Sequence, residues 1–350
     1  MKTANSTKRR INCGLALLLS AILVTSPILT FAAGSNRSRF DSLPKRVKRD
    51  FISKPVVPNR AARIAMQIQP EGQSATVLPD GRILLIGGDG SSGPQSSVSI
   101  KDPRTQDITL LANGLFQARA WHSATMLPDG KVLVAGGIGL NNKVISSAEI
   151  YDPETTISEP LPSSRLSARA YHTATLLTNG LVLIAGGSSD NEHALMRAEL
   201  FDTTTKTAIT LPARLSNARQ KHKATLLADG NVLLEAGVGG NSEKLTGAEL
   251  FNPETRSFVS TSLSSDQADG NAPYVAASVP ADGATDVPVD SRIAVRFSKS
   301  LRAESVNAET VKVTSSDGST VATRVVPAEN GRLAFLTARE SLLPGTSYTV

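Results

Sequence analysis

Short apolar blocks and polar turns alternate along the middle of this chain in an order that recurs. Residues 120–153 read His-Ser-Ala-Thr, a Pro-Asp-Gly turn, an apolar run, Gly136-Gly137, a polar loop, and Ala-Glu-Ile-Tyr-Asp-Pro. The same order starts again near Gly72, Tyr171 and Lys221. The second glycine of the pair falls at 88, 137, 187 and 237. A fixed period of about 50 residues indicates a propeller or a solenoid.

Each repeat predicts four short strands. Its apolar runs span about four to six residues and are rich in Val, Leu, Ile and Thr, which favours strands over helices. In the second repeat, strands are predicted at 124–127, 132–135, 147–151 and about 156–161. Turn residues that accept a positive φ join the first two strands in repeats two to four, as Asp129-Gly130, Asn179-Gly180 and Asp229-Gly230. Four antiparallel strands in this length make one propeller blade.

Glycines close the second predicted strand of each repeat. We expect them where backbones crowd near an axis or where φ is positive. They are Gly87, Gly88, Gly136, Gly137, Gly186, Gly187 and Gly237. The fourth repeat departs from the pattern with Glu235-Ala236-Gly237, and the first has Gln73 in place of the recurring histidine.

These residues resemble the kelch repeat. The resemblance rests on Arg119-x-x-His122, the Asp-Gly turn, Gly136-Gly137 and Ala148–Pro153, in register from Gln73 to Leu263. It implies an all-β fold with a kelch-type β-propeller of four recognisable four-stranded blades over residues 65–264. Either four blades close the ring, or residues 64–70 add a partial blade, or further blades lie outside the chain. Oligomers are expected if four blades do not close the ring.

The pattern changes after a polar linker at 265–272. Ile293, Val295 and Phe297 alternate with other residues as in a half-buried strand, and further alternating segments follow. Such strands suggest a β-sandwich over 273–350. This part resembles the bacterial Ig-like domain of surface-layer and other secreted proteins, through Pro280-x-Asp282-Gly283, Val295-x-Phe297-Ser298 and Leu343–Tyr348. Domains of that type normally continue through another strand, so we expect an incomplete domain from a longer polypeptide.

The first 64 residues predict export and a linker. Residues 1–32 have a basic start, an apolar stretch from Gly14 to Val24, and small residues at Ala32-Ala33, as in a secretory signal peptide. A membrane span is the alternative, but the apolar stretch is short and Ser26-Pro27 interrupts it. Residues 33–64 are basic and predict a disordered linker, or else a contact to an anionic surface or a processing site.

The net charge of +6 comes from these first residues. Residues 65–350 hold 24 basic and 29 acidic side chains, so their charge gives no argument for nucleic-acid binding. Cys13 is the one cysteine and lies within the predicted signal peptide. We therefore expect a mature chain without disulfides and without a membrane span, outside the cell or on the surface of a bacterium.

Two sets of repeated residues are candidates for a ligand site. The histidines are His122, His172 and His222, and the arginines three positions earlier are Arg119, Arg169 and Arg219. In some kelch proteins such arginines line the channel mouth and bind acidic ligands, so the resemblance allows a cationic ring here. The alternative is that each arginine pairs with a blade acid, Glu149, Glu199 or Glu249. Three histidines can also hold a metal, but a residue found in most repeats usually has a structural role, and no cofactor is expected. His193, beside Asp190 and Glu192, is expected in a solvated loop.

A propeller followed by an Ig-like domain also resembles the galactose oxidase family of secreted copper enzymes. That family's site needs a cysteine joined to a tyrosine, and here Cys13 would leave with the signal peptide. The sequence therefore favours a secreted or cell-surface binding or adhesion protein whose propeller face takes a protein or glycan, with an Ig-like spacer. A carbohydrate-active or oxidase-type enzyme with its site on the propeller face is the alternative, and fold resemblance alone does not decide between them.

Overall fold

The computed structural model describes residues 70–262 and 272–350. The predictions of a signal peptide at 1–32 and a basic linker at 33–64, and nearly all of the linker predicted at 265–272, lie outside the described residues. The described part is all-β, with two single-turn 3-10 helices at Leu140–Asn142 and Ala303–Ser305.

The four repeats form four consecutive antiparallel sheets, which we call sheets I to IV. In each sheet the four strands pair in chain order. Sheet I and the small hairpin in its loop comprise β1 Ser74–Val77, β2 Ile83–Ile86, β3 Asp89–Gly90, β4 Gly93–Pro94, β5 Val98–Lys101 and β6 Ile108–Leu110. Sheet II comprises β7 Ser123–Met126, β8 Val132–Ala135, β9 Ala148–Asp152 and β10 Ile157–Leu161. Sheet III comprises β11 Thr173–Leu176, β12 Leu181–Ala185, β13 Ala198–Asp202 and β14 Thr207–Thr210. Sheet IV comprises β15 Lys223–Leu226, β16 Val232–Glu235, β17 Ala248–Asn252 and β18 Ser257–Thr261.

The predicted strands and turns of the second repeat are present with shifts of one residue at most. Ser123 pairs with Ala135 and Met126 with Val132, so the Pro-Asp-Gly segment closes the first hairpin. Gly130 has φ +81°, as the turn requires. The strand prediction and the turn prediction are therefore confirmed here.

At Gly136 and Gly137 the backbone has a positive φ, and at Gly136 it also lies close to the next repeat. Their φ values are +62° and +100°, which a side chain makes costly. A Cβ on Gly136 would also lie 2.9 Å from Cε1 of His172 and overlap the carbonyl oxygen of Arg169, both from the next repeat. The first glycine is thus the point where one repeat approaches the backbone of the next.

Neighbouring sheets pack through their first strands and a shared aliphatic core. β1 contacts β7, β7 contacts β11, and β11 contacts β15. Strands β2, β8, β12 and β16 are almost wholly apolar and buried. Aromatic rings from the third strands of sheets II to IV, Tyr151, Phe201 and Phe251, are fully buried in the same core. Burial of one such ring contributes on the order of 2–3 kcal/mol.

The C-terminal residues form two further sheets around a core of their own. One sheet has the order β19-β20-β24-β23 and the other β22-β21-β25. Their strands are β19 Val275–Val279, β20 Ile293–Phe297, β21 Val313–Ser315, β22 Thr320–Val321, β23 Thr323–Ala328, β24 Leu333–Ala338 and β25 Tyr348–Thr349. Val295, Phe297 and Leu336 meet Val313 and Tyr348 between the two sheets.

The larger C-terminal sheet packs its other face against sheets I to IV. Ala294, Val326 and Phe335 belong to the same apolar core as the four repeat sheets. The contact is made at the end where the Asp-Gly turns lie. There Arg296 donates from Nε to the carbonyl oxygen of Ala228 at 2.9 Å and from Nη1 to Thr178 Oγ1 at 2.7 Å. The C-terminal domain therefore covers the end of the repeat sheets where the first-strand turns lie. The sequence predicted these turns but not their burial under the C-terminal domain.

Candidate functional site

The three candidate arginines are buried inside their own sheets. Arg119, Arg169 and Arg219 are each 0 % exposed. Each guanidinium meets a glutamate on the third strand of the same sheet, and the Nη2 to Oε1 distances are 2.7, 2.9 and 2.7 Å for Glu149, Glu199 and Glu249. No guanidinium faces solvent, so these arginines do not form an accessible ring at a channel mouth. The pairing with Glu149, Glu199 and Glu249 is the alternative that the sequence left open.

Each pair is completed by backbone groups. Arg119 Nη1 donates to the carbonyl oxygen of Gly136 at 2.7 Å, and the Glu149 carboxylate accepts from the backbone N–H groups of Phe116 and Gln117 at 2.6 and 3.0 Å. The charges of the Arg119–Glu149 pair therefore have the partners that they need in a medium of low dielectric constant, whereas Nε of Arg169 and of Arg219 is buried without a hydrogen-bond partner. Because the backbone of Arg119 also bonds to sheet I, at Gln95 and Gly88, the pair fixes the position of one sheet on the next.

The first repeat lacks both members of the pair. Pro70 stands where the arginine would be, and Ser99 stands where the glutamate would be. Because a buried charge without its partner is costly, the joint loss is the expected pattern for a structural pair. The arginine and the glutamate are thus present together in three repeats and absent together in the first. This pattern identifies the glutamate as the pairing partner of each arginine.

The three histidines join neighbouring sheets. Nε2 of His122, His172 and His222 lies 2.8, 2.9 and 2.9 Å from the hydroxyl oxygen of Ser74, Ser123 and Thr173, respectively. Each hydroxyl belongs to the preceding sheet, at the start of its first strand. Among the described residues, no three His, Cys, Asp or Glu side chains come together as a metal site. The histidines thus bridge repeats.

These histidines are neutral at physiological pH. Burial, with a smaller effect of the nearby arginines, lowers the pKa of His122 and of His222 to about 3 and lowers the pKa of His172 well below its usual value. An imidazole that stays neutral can hold one hydrogen bond to a hydroxyl without a buried charge.

We expect acid to destabilise the sheets through these histidines. The unfolded chain protonates its histidines near pH 6.5, whereas the folded chain does so only near pH 3. Their contribution is complete above pH 6.5 and falls by about 1.4 kcal/mol per histidine for each pH unit below it. Urea unfolding at pH 7 and pH 5 measures this loss. His122→Gln, which copies Gln73 of the first repeat, should remove about 2 kcal/mol of that loss, and an equal loss in both proteins would contradict the assignment.

In the described part of the chain, sheet IV departs from the contacts that join sheets I to III to their following sheets. Lys223 occupies the position of the bridging Ser123 and Thr173, and it lies 3.3 Å from Glu235 of its own sheet. Ala236 occupies the position of Gly136 and is exposed, with φ +58°. The described residues therefore contain no counterpart beyond sheet IV of the contacts that join sheets I to IV. A polar outer face is typical of a terminal repeat.

A row of residues links the sheets at the end opposite the Asp-Gly turns, through backbone hydrogen bonds and through side-chain contacts. Backbone bonds run from Trp121 N–H to Gly72 O, from Tyr171 N–H to Trp121 O, and from Lys221 N–H to Tyr171 O, at 2.8, 3.0 and 2.9 Å. The Trp121 and Tyr171 ring centroids are 5.5 Å apart, and Lys221 Nζ lies 4.6 Å from the Tyr171 centroid. We call this row, together with loops 89–95, 138–146, 188–196 and 238–246, the open end.

The tips of the open-end loops are solvent-exposed. Leu140 is 65 % exposed, and the His193 and Asp190 side chains are 71 % and 50 % exposed and 2.8 Å apart. His193 thus lies in a solvated loop, as the sequence suggested. Carboxylates at Glu71 and Asp89 lie close enough to Tyr171 to help raise the pKa of its hydroxyl, after burial.

A cavity of about 310 Å³ lies between the first strands of sheets I to IV. Threonines 76, 125 and 175 line it, together with alanine, valine and methionine side chains and the C-terminal turn 327–330. Oε1 of Glu329 accepts the backbone N–H of Leu176 at 2.6 Å. Burial raises the pKa of Glu329 to about 7.

Comparison with known families identifies the C-terminal part. A family model described as a bacterial Ig-like domain matches residues 269–350. These residues form a bacterial Ig-like domain. Such domains are typical of bacterial surface proteins, and the match is compatible with a cell-surface role. No curated protein matches the chain.

The Ig-like domain and the open end lie at opposite ends of the first strands. Each first strand runs from the row of Gly72, Trp121, Tyr171 and Lys221 to an Asp-Gly turn, or to Asn179-Gly180 in sheet III, and the Ig-like domain contacts this end. Glu154, in a turn of sheet II at the same end, pairs with Arg324 of the Ig-like domain at 2.7 Å. Within residues 70–262 and 272–350, no helix is long and apolar enough to span a membrane.

Proposed function

We propose that sheets I to IV are blades of a kelch-type β-propeller, and that the protein is a secreted or cell-surface binding protein of a bacterium. The open end is the recognition surface for a protein or glycan, and the Ig-like domain is the spacer behind it. The four-stranded antiparallel sheets, the contacts between their first strands and the 49- or 50-residue period support the blade assignment.

The choice of the open end as the recognition surface rests on the position of the Ig-like domain. The Ig-like domain packs against the Asp-Gly turns, with Arg296 and Arg324 anchored there, so that end is covered. The loops at the opposite end, including Leu140, are exposed. Binding residues are commonly found on loops that a rigid sheet scaffold presents, and the open end fits that arrangement.

A pair of matched variants tests this proposal on the full chain. Leu140→Glu changes an apolar side chain of the open end that is 65 % exposed, and Val259→Glu changes one on the outermost strand of sheet IV that is 61 % exposed. Retention is measured on immobilised cellulose, chitin, peptidoglycan, collagen and fibronectin. We expect the wild type to bind one of these, and Leu140→Glu to weaken that binding about tenfold or more, as for a central interface residue. Val259→Glu should bind as the wild type does. Equal weakening in both variants, or no binding to any of the five, would contradict the proposal.

A further inference from the structure

The turn between β23 and β24 has an unusual residue at its first central position. Glu329 and Asn330 have φ +48° and +53°, and Gly331 follows with φ +76°. Asparagine and glycine accept this left-handed conformation readily, whereas a glutamate there costs about 1–2 kcal/mol. A strained residue of this kind indicates that its side chain has a role at its position.

That side chain reaches between the first strands of the sheets. Its carboxyl accepts the Leu176 N–H at 2.6 Å, on β11, which lies at the edge of sheet III. The end of β23, Pro327 and Ala328, and the turn residues Glu329 and Asn330 form one wall of the 310 Å³ cavity, and all four first strands contribute to the others. The Glu329 hydrogen bond thus ties the Ig-like domain to the centre of the repeat sheets.

The carboxyl has no counter-charge among the described residues. The cavity lining from β1, β7, β11 and β15 contains no titratable side chain. The charged groups on the elements that pack there have other contacts: Lys223 on β15 with Glu235, Arg324 on β23 with Glu154, and Arg332 with the Ser298 carbonyl oxygen. His172, just before β11, is neutral. Among the described residues, the Leu176 N–H is the hydrogen-bond donor to this half-buried carboxyl, and no positive charge there stabilises its ionised form.

We propose that residues 328–331 are a proton-dependent latch. When Glu329 is protonated, the turn stays closed against β11, and ionisation of Glu329 opens the turn and the cavity behind it. The Arg296 and Arg324 contacts hold the Ig-like domain in place in both conditions, so the opening is local.

The direction in which pH shifts the closure of the turn follows from the environment of the Glu329 carboxyl. Burial raises the pKa of Glu329 from the usual 4.5 to about 7 in the closed turn, although the Leu176 hydrogen bond partly opposes this. Closure is therefore favoured most below pH 4.5, and the preference declines as the pH rises to about 7. The ratio of open to closed turns should rise roughly tenfold between pH 6 and pH 8.

Hydrogen exchange of the full chain tests the latch. Uptake is measured at pH 6 and pH 8 in peptides that contain Leu176 and residues 326–331, and is corrected for the intrinsic effect of pH on exchange. We expect about tenfold faster opening-limited uptake at pH 8 in the wild type and no such increase in Glu329→Gln. Glu329→Asn, whose backbone suits the turn, gives a second carboxyl-free variant.

Glu154→Gln is the matched control, because Glu154 is an exposed glutamate at the same interface and pairs with Arg324. It should keep the wild-type pH response. The latch is overturned if wild type and both Glu329 variants respond equally, or if the wild type shows no response. Binding at the open end is not measured here, so failure of the latch and failure of the proposed function are separate results.

Discussion

Arg119→Met should destabilise the protein by about 3–5 kcal/mol, one of the two largest effects that we predict. The substitution leaves the Glu149 carboxylate buried, with only backbone N–H groups and the Ser158 hydroxyl to stabilise its charge. It also removes the hydrogen bond to the Gly136 carbonyl oxygen. Urea unfolding at pH 7 measures the loss.

Two further variants show whether the loss comes from the buried charge. Arg119→Met combined with Glu149→Ser removes both charges, as in the first repeat with Pro70 and Ser99, and should recover at least about 2 kcal/mol of the loss. Arg82→Met breaks an exposed pair with Asp80, which is also 2.7 Å long, and should cost less than about 1 kcal/mol. A double variant less stable than Arg119→Met would contradict a charge-pair mechanism.

Local patterns in the sequence predict the strands and turns well because these depend on neighbouring residues. The alternation at 293–297 predicts β20, and the Asp129-Gly130 turn predicts the β7–β8 hairpin. The glycine pair at 136–137 predicts both the positive φ and the close backbone approach. Each of these features is set by a period of two residues or by the steric freedom of glycine.

Contacts between repeats are harder to predict, since the partner lies about 49 residues away. Ser123 follows His122 in the sequence but bonds to His172 of the next repeat. A histidine in three repeats made these residues candidates for a metal site or a ligand site at the channel mouth. In the structure each histidine instead forms a hydrogen bond to the preceding sheet. Two replacements in the sequence indicate this pairing. Gln73 replaces the histidine in the first repeat, and Lys223 replaces the hydroxyl residue in the fourth.

The Glu329 site could not be found from the sequence at all. Asn330-Gly331 is a residue pair typical of a tight turn, but nothing in residues 323–338 indicates that this turn packs against sheets I to IV. That contact arises because Ala294, Val326 and Phe335 form an apolar face that needs a partner, and the aliphatic core of sheets I to IV provides it. Packing between segments that are distant in the sequence depends on both surfaces, so a motif in one segment does not reveal it.

Gly136→Ala is the other substitution with a large expected effect, about 3 kcal/mol of lost stability. An alanine there must adopt φ +62°, which costs about 1–2 kcal/mol. Its Cβ must also displace the Arg169 carbonyl group and the His172 ring of the next repeat, and such overpacking typically costs about 1–3 kcal/mol. The Gly137 N–H bond to the Arg169 carbonyl oxygen, 2.8 Å long, is strained by the same shift.

The reverse substitution in sheet IV is the matched control. Ala236 has nearly the same φ, +58°, but it is exposed and has no following repeat packed against it in the described residues. Ala236→Gly should therefore stabilise the protein slightly, by about 0.5 kcal/mol, because relief of the backbone strain outweighs the entropy of glycine. If Gly136→Ala costs no more than Ala236→Gly gains, φ alone explains the glycines. A much larger cost at 136 would show that the approach of the next repeat, and not only the backbone angle, requires glycine there.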